Sequence, residues 1–154
     1  MVRGRRHQLA LPLALLAFAG LAGCGEDRES GVPAACKEGP ESVRAALRAA
    51  PREVRLDGVR LSECLTEGAD ADDLQVVGAA YLEAAAGLAR KAGQDPESRA
   101  AVELGYLVGA ARRGGSGTQG VHTELLRRLD QELGTVDTRS PAFRRGERAG
   151  RSEG

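Results

Sequence analysis

Few side chains in this 154-residue sequence are equipped for chemistry, and they are scattered. His122 is the one histidine beyond residue 7. An imidazole can serve as ligand, acid or base near neutrality, but no serine elbow, second imidazole or spaced carboxylate pair accompanies it. Tyr81 and Tyr106 are the only tyrosines, and a phenol is a natural partner for an imidazole buried among leucines. His122, Tyr81 and Tyr106 thus outline a candidate small-ligand pocket; the alternative is that all three are core residues with satisfied polar atoms. Asp70, Asp72 and Asp73 lack the spacing and distal glutamate of a calcium loop, so they are expected to cap a helix instead. Cys36 and Cys64 lack the C-x-x-C spacing and neighbouring histidine of a redox or metal pair. With no tryptophan, stacking platforms for sugars or ring cofactors are poorly supplied. No catalytic constellation, metal or cofactor is expected.

The elements that must position these residues are mostly helices. Gly39-Pro40-Glu41-Ser42 starts one, because proline and an acid suit a first turn, and Pro51 stops it. Val54 to Leu61 changes to a two-residue period around Asp57-Gly58, which predicts a short β-hairpin. Ser62 is expected to cap the short turn that carries Cys64. The longest helix is predicted from about Ala71 to Lys91, capped by Asp70, stopped by Gly93, with an apolar stripe of Leu74, Val77, Tyr81, Ala84 and Leu88. A second opens at Asp95-Pro96-Glu97 and ends at Arg112-Arg113-Gly114. It is apolar over most of its circumference and is expected to lie at the centre. Its Ala101, Gly105 and Gly109 fall four apart and allow a neighbouring backbone to come close.

Gly114 to Gly117 reads as a flexible connection. A further helix is expected from Thr118 to about Leu133, with His122, Leu125, Leu126, Leu129 and Leu133 inward and Glu124, Arg128 and Glu132 outward, spaced to pair. From Gly134 the periodicity fades into arginine, proline, serine and glycine. Residues 134–154 are expected to be a disordered tail, with Phe143 and its arginines as a conceivable contact for anionic lipid or wall polymer.

The N-terminus is different in kind. Arg3, Arg5 and Arg6 precede an apolar run from Leu9 to Ala22, too short for the roughly 20 residues a spanning helix needs and laid out as an export signal. Leu21-Ala22-Gly23-Cys24 resembles the lipobox of bacterial lipoproteins. The resemblance implies cleavage between Gly23 and Cys24 and a diacylglyceryl group on the Cys24 thiol. Two acyl chains hold a protein durably where one does not. An ordinary secretory signal and, through Arg5-Arg6, a twin-arginine route are the alternatives.

Lipidation of Cys24 leaves Cys36 and Cys64 as a pair on the exported side, where a disulfide is the simplest outcome. The removed segment carries three arginines and no acid, leaving 19 basic against 22 acidic residues, a net charge of −3. That balance gives no footing for nucleic acid.

The expected molecule has a signal peptide at 1–23, a lipidated N-terminus and tether at 24–35, a domain at 36–133 with its hairpin at 54–61, and the tail. Its fold is mainly α, a small bundle of about four main helices with one hairpin and a disulfide. Its expected role is that of a lipid-anchored, extracytoplasmic envelope lipoprotein acting as a non-enzymatic interaction module, partnered by the membrane and another envelope protein. The alternative is a small-ligand binder or sensor.

Overall fold

A computed structural model describes residues 31–66, 68–115 and 120–154. The expected signal peptide and Cys24 lie outside the described residues, as does the expected helix start at Thr118. Among the described residues the fold is a bundle of five α-helices and one two-stranded hairpin, and no helix is long and apolar enough to cross a membrane.

The chain enters through Val32, which is buried, and a 3-10 turn at Ala34–Lys37. The last residues assigned to the tether therefore belong to the domain. Helix α1 (Pro40–Leu47) begins with proline at its first position, as the sequence indicates, and buries Val43 and Leu47. Strands β1 (Arg55–Leu56) and β2 (Val59–Arg60) pair antiparallel, Leu56 opposite Val59. Asp57 and Gly58 both take positive φ, 42° and 86°, the signature of the tight hairpin turn that Asp-Gly favours.

A second 3-10 turn, Leu61–Leu65, follows directly. Ser62 does not cap it. Its hydroxyl donates to the Gly154 carbonyl at 2.5 Å, and Glu63 closes the turn by accepting from the Arg60 backbone N–H at 2.9 Å. Cys36 and Cys64, one from each 3-10 turn, form the disulfide, with Cα atoms 5.6 Å apart and a sequence separation of 28. On a chain-entropy basis, closing a loop of that size stabilises the fold by roughly 3 to 4 kcal/mol.

Helix α2 (Ala71–Gln94) buries the expected stripe. It runs through Gly93 rather than stopping there, because Asp95, the residue expected to open the next helix, ends this one in an extended conformation. Helix α3 (Arg99–Gly114) is capped by Ser98, whose side chain accepts from the Ala101 N–H. Every residue from Ala100 to Ala111 is buried, so α3 is central, as its all-round apolar character requires. Helix α4 (Val121–Glu132) turns His122, Leu125 and Leu129 inward.

The largest departure from the sequence expectation is at the C-terminal end. Residues 141–153 form α5 (Pro141–Glu153), not a disordered tail. Ser140 accepts from the Phe143 N–H at 3.2 Å, and Pro141 takes the first helical position. Phe143 is 2% exposed, so it is part of the core and no foothold for lipid.

Helix α5 packs on α3 through glycine. A Cβ at Gly105 or Gly109 would overlap the carbonyl oxygens of Phe143 or Glu147, and one at Gly146 or Gly150 would overlap those of Val102 or Tyr106. Backbone meets backbone on both sides. Arg112 then bridges Asp130 of α4 (2.7 Å) and Glu147 of α5 (2.5 Å), while Arg113 donates to the Arg151 and Ser152 carbonyls and so caps the C-terminal end of α5.

Candidate functional site

Among the described residues, the hydroxyls of Tyr81 and Tyr106 are bonded to backbone around the hairpin and not to His122. Both are fully buried, and both hold the segment around the hairpin. The Tyr81 hydroxyl donates to the Leu61 carbonyl at 2.6 Å, and the Tyr106 hydroxyl accepts from the Val54 N–H at 3.0 Å. A hairpin with two-residue strands leaves buried backbone groups without ladder partners, and the phenols supply them. Burial pushes the Tyr81 hydroxyl far above the usual phenol range. Tyr106 is raised by the same desolvation, partly offset by its bond from Val54. Both hydroxyls are thus engaged with backbone inside the core.

His122 sits in the first turn of α4, 6% exposed, and its Nε2 has no hydrogen-bond partner among the described residues. Its side chain packs near Gly115, just past the end of α3. Asp73 accepts both of its hydrogen bonds from Lys37 Nζ, at 3.1 Å, and so ties the N-terminal 3-10 turn to α2. Asp70 occupies the position before α2, but its side chain makes no capping bond. Among the described residues no group of three His, Cys, Asp or Glu side chains is placed to hold a metal ion.

The structure instead opens a cleft of about 540 Å³ between α2 and α4. Leu74, Gly78 and Leu82 form its α2 wall, and Val121 and Leu125 its α4 wall. These fall four apart on each helix, so each set faces one way. The hollow has a simple origin: between two leucines, Gly78 contributes no side chain. A Cβ there would meet only Leu125 Cδ1, at 3.7 Å, an ordinary contact.

Gln75, Glu124 and Arg128 lie on the polar rim. Glu124 accepts from Arg127 Nε (2.8 Å) and Nη2 (2.7 Å) and, at the expected four-residue spacing, from Arg128 Nε (2.7 Å). Those bonds, first from Arg127 and then from Arg128, hold its carboxyl at about 2. A carboxylate that acidic is a weak general base at neutral pH. Two guanidiniums face the one carboxylate here, and the interior of the cleft is apolar, an arrangement suited to shielding an apolar group from water.

The sequence reading missed this cleft. Its signal was there in Leu74-x-x-x-Gly78-x-x-x-Leu82, a gap at the centre of an otherwise filled helical row. No protein-family model, curated protein or solved structure matches this chain.

Proposed function

We propose that the protein is an extracytoplasmic lipoprotein, held to a membrane through Cys24 and acting there as a non-enzymatic interaction module. The observation that carries this reading is the Cys36–Cys64 disulfide. Such bonds persist in oxidising, exported compartments and are rare where thiols are kept reduced. The Leu21-Ala22-Gly23-Cys24 resemblance supports the same compartment from an independent part of the chain. A non-catalytic role draws support from how the titratable groups are used. The tyrosine hydroxyls hold backbone, and Glu124 is saturated by arginines.

Mass analysis of the native product tests this directly. The expected first residue is Cys24 carrying a diacylglyceryl group, with incorporated acyl label lost in Cys24→Ala. An unmodified first residue, or a leader still attached, rejects the anchor. Two free thiols after denaturation without reductant would reject the disulfide and the compartment inferred from it.

The α2–α4 cleft favours a second reading, binding of an apolar ligand. The residues that would do it are Leu74, Gly78, Leu82, Val121 and Leu125 rather than His122, Tyr81 and Tyr106.

A further inference from the structure

The chain enters the fold beside the first turn of α2. A side chain at Gly31 would lie 3.8 Å from Asp73 Oδ2, and Lys37 holds the same carboxylate. The cleft wall begins one residue further along α2, at Leu74. At 100° per residue, the row Leu74, Gly78, Leu82 lies roughly half a turn around α2 from Asp73, about one helix diameter or 10–12 Å across.

Gly31 lies seven positions along the chain from Cys24. That length spans at most about 25 Å when extended and about 15 Å as a coil. A group carried on Cys24 therefore reaches the cleft from where the chain enters, and the short linkage presents it at an effective concentration in the millimolar range.

We infer that the α2–α4 cleft receives one acyl chain of the lipid on Cys24. This rests on the lipoprotein reading above and names the ligand of the cleft. The interior is apolar and in the size range of small-molecule sites. The rim carboxylate is already engaged by Arg127 and Arg128, and Leu74, Leu82, Val121 and Leu125 offer an occupant apolar surface.

Gly78 points the same way. Glycine weakens a helix interior relative to alanine, and no close backbone approach requires it here. What its absent side chain provides is room. The functional consequence concerns the anchor: with two acyl chains in the bilayer the protein is held durably, whereas with one withdrawn it is held reversibly.

The test feeds a palmitate analogue carrying a diazirine and an alkyne to bacteria producing the full chain, followed by irradiation and peptide mass mapping. The expected result is label on Cys24 and photo-adducts within 74–82 or 121–128. Gly78→Phe should reduce the adducts at least fivefold while leaving the Cys24 label and the disulfide intact. Ala79→Arg, at an exposed position on the cleft wall, should do the same if the larger ring disturbs packing. Labelled Cys24 with adducts elsewhere, or adducts unchanged in both variants, would overturn the inference and leave the anchor standing. Cleft adducts that survive in Cys24→Ala would identify bilayer lipid as the occupant and also overturn it. No label on Cys24 would remove the anchor and the inference together.

Discussion

Two helix pairs in this molecule use glycine to opposite ends. Between α3 and α5, Gly105, Gly109, Gly146 and Gly150 bring backbones into contact, and any added carbon would collide with a carbonyl. Between α2 and α4, Gly78 faces Leu125 across ordinary van der Waals distance, and its missing side chain opens a cleft. Glycine by itself thus predicts neither tightness nor space. The facing element decides: another small-residue ridge closes the gap, whereas a ridge of leucines props it open.

The sharpest way to break the comparison is substitution on the tight side. Gly146→Val puts carbon into the Val102 carbonyl and should cost about 3 kcal/mol or more, read as a fall in the urea midpoint. A loss below about 1 kcal/mol would mean that α5 can slide and that the glycine contact is incidental.

Next in size is the bracket beside it. Arg112→Met removes the bridge to Asp130 and Glu147 and should cost about 1 to 2 kcal/mol. Burial raises the Glu147 carboxyl, but the guanidiniums of Arg151 and Arg112 outweigh it and hold it below the usual range. The resulting stability is complete above the unfolded value, roughly 4. It is lost as pH falls through the folded value, so Arg112→Met should flatten that acid limb. Equal dependence on pH between 5 and 2 in the two proteins would contradict this.

On the open side the sign reverses. Gly78→Ala should stabilise by about 0.5 to 1 kcal/mol through helix propensity and reduced unfolded-state entropy, since its methyl group has space. Destabilisation would show that the cleft is already filled by something α2 and α4 depend on. The smallest effect belongs to the rim. Glu124 should titrate at about 2 by carbon-detected NMR; a midpoint in the ordinary carboxylate range would mean that the Arg127 and Arg128 bonds are not kept in solution.

The same contrast explains what could be read from the sequence. The hairpin was legible because Asp57-Gly58 states its turn chemistry locally, and α3 because being apolar all round has one structural solution. Helix α5 was not, because its buried face is written in glycine and alanine. Hydrophobic periodicity does not register Ala142, Gly146, Gly150 and Gly154, yet they repeat every four residues exactly as far as Ala101, Gly105 and Gly109 do across the interface. Reading the two rows together would have converted a supposed tail into a partner. The disulfide followed from parity of cysteines, whereas the cleft depends on a side chain that is not there and on the distance between two helices. Such a distance is a tertiary quantity that no single segment encodes.

The disulfide also decides how the domain answers to force. Pull on the chain from its N-terminal side, and tension arriving at Cys36 crosses the sulfur bridge to Cys64. Residues 37–63, with α1 and the hairpin, are a bypassed loop that carries no load while the bridge is intact. Tension then passes into the chain only beyond Cys64, at the buried Leu65 and the helices that follow, whereas reduction would bring α1 and the hairpin into the load path.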